Sequence, residues 1–282
     1  MKIIIIGAPR SGTNMLRDVL TKLPGLATWP CDEINYIWRH GNVSYPSDEF
    51  SYDMARPEVC HYIQKQFKWI SEKYKAHSVV EKTCANSLRV DYVDRVVPDS
   101  QYIFIHRDGL DASGSSKKRW KAELDIPYLM KKTRFVPLGD LPYYGLRYVW
   151  NRFHRVLSKD GRLAVWGPKP HDLESLLEKH PLDEVCAIQW KRCVDSASES
   201  FSRMDPTRWI EVAYENFVHD PESELERILS FLQLNVSPSI QKRAVADVRV
   251  TNVGKDRKTM DEDVLKRLKP LIADTMERYG YL

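Results

Sequence analysis

Two short stretches of this sequence gather side chains that can grip anions. The first is Gly7-Ala8-Pro9-Arg10-Ser11-Gly12-Thr13-Asn14, directly after the apolar run Ile3–Ile6. A glycine-containing loop that opens a helix points backbone N–H groups at one spot, and the positive helix end favours an anion there. Ser11, Thr13 and Asn14 add side-chain donors, and Arg10 adds a charge. The alternative is an ordinary strand-to-helix turn. The second stretch runs from His106-Arg107-Asp108 to Ser115. Arg107 offers a rigid donor fork and Ser115 a short donor, a pair suited to a second phosphate. The alternative use of Arg107 is an ion pair with Asp108 or Asp111, two acids that also favour the start of a helix.

The first loop departs from the nucleotide triphosphate pattern G-x-x-x-x-G-K-[ST]. Gly12 is followed by Thr13 where lysine is required, and the cation sits inside the loop at Arg10. No lysine is placed to reach β- and γ-phosphates, which argues against an ATPase or a kinase.

These residues need a scaffold. Ile3–Ile6 reads as a buried parallel strand. Met15, Leu16, Val19, Leu20 and Leu23 recur at helical spacing until Pro24-Gly25 stops them. Ser78–Val80 leads into Glu81-Lys82-Thr83, Tyr102–Ile105 into His106-Arg107-Asp108, and Trp209–Val212 into Ala213-Tyr214-Glu215. Helical patterns lie at Ser87–Val97, Val185–Phe201, Pro221–Leu232 and Asp263–Tyr279. Strands alternating with helices predict a single α/β domain over residues 1–282. Its central parallel sheet is flanked by helices in the three layers of P-loop NTPase-like folds. Each strand hands over to polar residues at its C-terminal end, the edge where such sheets bind ligands. Trp38–Arg56 and residues 116–170 read as insertions, the second as a substrate gate.

Composition narrows the class. The chain has 282 residues, with 43% hydrophobic and 29% charged, as in an ordinary soluble globular protein. Lys plus Arg is 43 and Asp plus Glu is 39, a net charge of +4, too mild for a nucleic-acid coat. Cys31, Cys60, Cys84, Cys186 and Cys193 form no CxxC pair, so neither a metal site nor a disulfide framework is expected. No apolar run reaches the about 18 residues of a membrane span, and Ile3–Ile6 is too short for a signal segment. A cytoplasmic protein with free thiols is expected.

The pair P-R-S-G-T and R-D-x-x-D-x-x-x-S resembles the sulfotransferases that use 3′-phosphoadenosine 5′-phosphosulfate (PAPS). Val212-Ala213-Tyr214-Glu215-Asn216-Phe217-Val218 with Asp220-Pro221 is similar to that family's late strand–helix segment. Glu81-Lys82-Thr83 is similar to the E-K-T/S segment of its glycan-modifying members, and Lys255 with Arg257 to a basic loop that closes over the nucleotide. The resemblance implies metal-independent sulfuryl transfer from PAPS to a hydroxyl of a glycan or small-molecule acceptor, leaving adenosine 3′,5′-bisphosphate (PAP). It places the 5′-phosphosulfate on Arg10, Ser11, Gly12, Thr13 and Asn14, and the 3′-phosphate on Arg107 and Ser115. Arg10 and Lys82 would offset charge on the transferring group. The catalytic histidine of the cytosolic branch's K-T-H segment is replaced by Cys84. The protein-tyrosine and heparan sulfate branches instead use a glutamate shortly after the first helix. Glu33 matches it, with Asp32 as the competing base.

Two other classes stay open: a P-loop small-molecule kinase, and a non-catalytic module that binds a nucleotide or a sulfated glycan. Weaker features are His40 and His106, the basic run Lys117, Lys118, Arg119 and Lys121, and the aromatic stretch Tyr143, Tyr144, Tyr148, Trp150 and Phe153. Each is explained at least as well by packing or by a solvated face.

Overall fold

A computed structural model of the chain describes residues 1–121, 135–141, 143 and 166–282. Most of the expected substrate gate at 116–170, and with it Tyr144, Tyr148, Trp150 and Phe153, lies outside the described residues.

Among the described residues, five parallel strands form one sheet in the order β2-β3-β1-β4-β5. They are β1 (Lys2–Ile6), β2 (Leu26–Ala27), β3 (Ser78–Lys82), β4 (Ser100–His106) and β5 (Trp209–Ala213). The single α/β domain with a parallel central sheet is as the strand–helix alternation predicts. Ile3, Ile4, Ile5 and Ile6 have no exposed surface, because a central parallel strand is covered on both faces. The two-residue β2 carries no hydrophobic run of its own, so its pattern is silent.

The helices divide between the two faces. On one side, α1 (Thr13–Thr21) packs Leu16, Val19 and Leu20 against Ile3, Ile5 and Ile103. The late helices α8 (Tyr214–His219), α9 (Pro221–Phe231) and α10 (Pro238–Val245) continue this layer. The other face is covered by α3 (Pro57–Tyr74), α4 (Val90–Val96), α5 (Gly109–Trp120), α7 (Leu182–Arg203) and α12 (Glu262–Arg278). Short helices α2 (Asn35–Trp38), α6 (Leu173–Lys179) and α11 (Lys255–Lys258) lie at the rim.

Two expectations change. The helix read over Ser87–Val97 is split into a 3-10 turn, Cys84–Leu88, and α4. Ser87 Oγ donates back to the Cys84 carbonyl at 2.7 Å, and Arg89 takes φ −152°, so local side-chain bonds outcompete a continuous helix. The Trp38–Arg56 stretch is a packed wall. Trp38, Phe50 and Ala55 are in the core, and buried Asp48 accepts from Arg39 at 2.7 Å.

Topology fixes where ligands gather. The chain leaves β1 toward β2 on one side and leaves β4 toward β5 on the other, while β1 and β4 are neighbours. This reversal opens a crevice beyond their C-terminal ends. The registers Ile5↔Lys82, Ile6↔Phe104 and His106↔Ala213 bring Gly7, Lys82, Arg107 and Tyr214 to that edge. Close packing there demands a glycine after Arg107-Asp108, since a Cβ on Gly109 would lie 2.7 Å from the Trp190 ring.

Candidate active site

The first loop is held in a costly shape. Gly12 has φ +87° and Arg10 has φ +67°, a left-handed conformation that a side chain rarely adopts. Such a residue costs about 1–3 kcal/mol and persists where the surroundings demand it. Tyr214 closes the turn: a Cβ on Gly12 would meet its ring at 2.4 Å. No side chain caps the first turn of α1, which leaves that helix end to a ligand.

The loop and the second stretch are bonded to each other. Arg10 Nε donates to Ser115 Oγ at 2.8 Å, and Arg107 Nη1 donates to the Arg10 carbonyl at 2.9 Å. Arg107 Nη2 pairs with Asp111 at 2.6 Å, so the ion-pair use of Arg107 is present. Arg107 Nε and Ser11 Oγ remain buried and without a hydrogen-bond partner. A buried unpaired donor costs about 1–3 kcal/mol, and here both belong to residues expected to hold phosphate. Burial, Arg107 and Arg119 together push the Arg10 pKa down. Cations crowded this way are relieved by a polyanion. Arg107 also lies over the Tyr214 ring, 4.6 Å from its centroid.

The C-terminal basic segment docks on the same spot. Asp111 has no exposed surface, and it accepts from the backbone amides of Gly254 (2.7 Å), Asp256 (2.8 Å) and Arg257 (3.0 Å). Asp111 therefore ties α11 to α5 while it holds Arg107. Arg257 Nη1 is turned onto Asp108, and Lys255 is exposed.

The expected base lies across the loop. Glu33 Oε1 accepts from Lys82 Nζ at 2.8 Å and from the Cys84 amide at 3.3 Å. Its side chain is 27% exposed, whereas that of Lys82 is 2% exposed. The carboxylate is thus partly open to the outside, with the cation behind it. Burial pulls the Lys82 pKa down, but the Glu33 carboxylate more than offsets this, so the ammonium stays charged. Cys84 links the two halves, its Sγ 3.6 Å from Thr13 Oγ1. Burial and Glu33 push that thiol up to about 12, so it is neutral and a poor nucleophile.

The two competing acids point to different partners. The Asp32 carboxylate is 3.5 Å from Arg17, and its carbonyl accepts from the same guanidinium at 3.1 Å. Asn14 Oδ1 also accepts from Arg17, at 3.5 Å.

The weaker features resolve toward structure. His106 Nδ1 bonds Tyr281 OH at 2.8 Å, its Nε2 is 3.4 Å from Glu211, and its ring packs on Tyr279. His40 pairs with Asp140 at 2.8 Å and stacks on Tyr62. Lys117 and Lys118 are paired with Asp183 and Asp256.

Sequence reasoning missed three residues. Arg17 touches Asn14 and Asp32, and Tyr214 packs on Gly12 and Arg107; the sequence pattern assigns Arg17 no role, and marks Tyr214 only by its place just past a strand. The third, Glu81, is fully buried in β3. Its signal was available: a carboxylate inside a strand that is buried at every position. Burial pushes its carboxyl up to about 7.

A pH-dependent stability follows for Glu81. The unfolded chain releases this proton near 4.5 and the folded chain near 7. Between those values the folded state holds more protons, so stability falls as pH rises. The wild type is expected to lose about 3 kcal/mol relative to Glu81→Gln from pH 4.5 to above 7. Denaturant midpoints of both proteins across that range check this. A pH-independent difference would contradict it.

The chain resembles known proteins in family and in fold. A family profile described as the sulfotransferase family matches residues 2–149 and 151–238. The sulfotransferase domain from the curacin biosynthetic pathway is similar over 96% of each chain, with a TM-score of 0.55 and 13% identity. A sulfotransferase from Mycobacterium avium is similar over 98% of this chain and 76% of its own, with a TM-score of 0.55 and 14% identity. A mouse sulfotransferase complexed with PAP is similar over 98% of this chain and 84% of its own, with a TM-score of 0.50 and 14% identity. At these identities the likeness is one of fold.

Proposed function

The chain belongs to the sulfotransferase family, and from that premise we propose that it moves a sulfuryl group from PAPS to an acceptor hydroxyl, with Glu33 as general base. The carrying observation is the Glu33–Lys82 pair at 2.8 Å, joined through Cys84 to the phosphate loop. One partly exposed carboxylate and one buried cation sit beside an anion cradle. Bond formation at an incoming hydroxyl and charge relief on a leaving phosphate need that combination.

The donor fits the residues present. PAPS supplies an activated sulfuryl group whose leaving portion carries two phosphates. Arg107 Nε and Ser11 Oγ are buried donors in need of acceptors. Ser11, Gly12, Thr13 and Asn14 are assigned to the 5′-phosphate and Arg107 with Ser115 to the 3′-phosphate. Ser115 Oγ accepts from Arg10, which leaves its own proton to donate. Lys255 and Arg257 close the site from α11. Arg10 and Lys82 stabilise charge on the leaving oxygen, while Glu33 takes the proton of the acceptor. None of these roles calls for a metal ion.

The acceptor class we assign is a glycan or a small natural product, from the glutamate base and the E-K-T segment. We place the enzyme in the cytoplasm, in keeping with five cysteines that form no disulfide. Among the described residues, no helix is long and apolar enough to cross a membrane.

Radiolabelled PAPS, incubated with hydroxylated glycans and small molecules in the presence of a metal chelator, tests the reading. Label is expected in an acceptor, with PAP as co-product. Phosphorylated product from ATP and Mg²⁺, with none from PAPS, would replace it with a kinase.

A further inference from the structure

The protons around Glu81 point toward it. Thr83 Oγ1 donates to Glu81 Oε1 at 2.6 Å, and Asn86 Nδ2 donates to Oε2 at 3.1 Å. A threonine hydroxyl has one proton. With that proton on Glu81, the lone pairs of Thr83 Oγ1 can only accept, and the Ile34 amide donates to it at 3.2 Å. Asn86, with its amide group spent on Glu81, presents Oδ1 to Arg89 Nε at 2.9 Å. Arg89 Nη2 then reaches Asn35 Oδ1 at 2.5 Å. The two residues that follow Glu33 are therefore each tied to one buried acid by a directed chain. Lys82 and Cys84, which hold the Glu33 carboxylate itself, alternate with Glu81 and Thr83 along the same stretch.

An ionised carboxylate accepts at both oxygens and never donates. The Ile34 amide and the Arg89 guanidinium can only donate, so an acceptor-only group at position 81 completes both chains. A glutamine could offer its amide and reverse the first link to Thr83 or Asn86, leaving the far ends as they are. The charged groups facing Glu81 are Lys82 on its own strand, Glu33 from the segment before α2, and Arg89 ahead of α4. Behind Arg89 stands Asp48, which also holds Arg39. Burial of Glu81 opposes folding at neutral pH, whereas a neutral isostere would not; the fold alone gains little from the charge.

We propose that Glu81 is a positioning residue for the transfer reaction: through Thr83, and through Asn86 and Arg89, it fixes the chain at Ile34 and Asn35 and so aims the Glu33 carboxylate. This rests on the reading of Glu33 as the base, and the test separates the two.

Two readouts need no identified acceptor. One is hydrogen exchange of the Ile34 amide, resolved by NMR in PAP-saturated protein. The other is labelled sulfate released from PAPS with water as acceptor. Thr83→Val is expected to speed Ile34 exchange about tenfold, as for one lost buried hydrogen bond. It is expected to lower kcat for sulfate release by a similar factor with KM for PAPS unchanged, and Thr83→Ser restores both. Glu81→Gln is expected to shift the acidic limb of the pH–kcat profile. Wild-type Ile34 exchange in Thr83→Val, or a profile unmoved in Glu81→Gln, overturns the proposal. Equal losses in kcat and in PAP affinity would also overturn it, by showing general loosening. Glu33→Gln keeps the chain to Ile34 and retains slow exchange there. If it also releases sulfate at the wild-type rate, the base assignment fails while Ile34 exchange still decides the anchor.

Discussion

Glu33→Gln is expected to lower the transfer rate by about 10²- to 10⁴-fold, the usual contribution of a positioned general base, with PAP affinity little changed. The substitution keeps the shape and an oxygen that can accept from Lys82, which lies 2.8 Å from the carboxylate. It removes the basicity and the counter-charge of Lys82, and keeps only a neutral hydrogen bond to the ammonium. Glu33→Ala is a harsher change. It strands an ammonium whose side chain is 2% exposed, and an uncompensated buried charge costs about 3–5 kcal/mol. Both variants lose the base and the ion pair, so the comparison of Gln with Ala isolates the hydrogen bond to Lys82 and the volume of the side chain. Asp32→Asn is the control, since the Asp32 carboxylate is 43% exposed and faces Arg17. It is expected to leave the rate within a small factor of wild type. Single-turnover transfer with each variant, alongside PAP titrations, checks the set. A Glu33→Gln enzyme as fast as wild type, with Asp32→Asn impaired, would reverse the assignment.

The second large effect is at Arg107. Arg107→Lys keeps a charge but loses the planar fork that reaches the Arg10 carbonyl, Asp111 and the Asn252 carbonyl together. Hydrogen bonds to a charged partner are worth about 1.5–3 kcal/mol. We therefore expect PAP affinity to fall roughly 10- to 150-fold. If Arg107 holds the 3′-phosphate, as proposed, 5′-AMP, which lacks it, is expected to bind the variant and the wild type almost alike. Arg10→Ala is expected to have the complementary pattern and weaken both nucleotides, because the proposal assigns Arg10 to the loop at the 5′ end. Equal losses for PAP and 5′-AMP in Arg107→Lys would place Arg107 in the scaffold alone.

Much of the scaffold was legible in the sequence. Ile3–Ile6, Tyr102–Ile105 and Trp209–Val212 each lie inside an observed strand, and the continuous β-branched run Ile3–Ile6 signals burial on both faces. The loop at residues 7–13 announced itself by Gly7, Gly12 and the helix that follows. Other parts were silent for physical reasons. The two-residue strand Leu26–Ala27 has too few residues for a period. The break between the turn at Cys84–Leu88 and α4 depends on Ser87 and Asn86 finding local partners, which spacing does not reveal. Arg107 is paired with Asp111, the ion-pair reading, and its Nε has no partner. Glu33 lies 49 positions from Lys82 in the chain, so only the fold brings the pair together. Cys84 and Thr83, adjacent in sequence, take different jobs because one touches the loop and Glu33 while the other faces the buried Glu81.

The claim beneath all of this is that two phosphates of PAP are held by residues 10–14 from one side and by Arg107 and Ser115 from the other. Calorimetric titration of the wild-type protein with PAP in the presence of a metal chelator tests it most directly. One-to-one binding is predicted, weakened by Arg10→Ala and by Arg107→Lys. Absence of PAP binding, or binding that neither substitution weakens, would contradict the account.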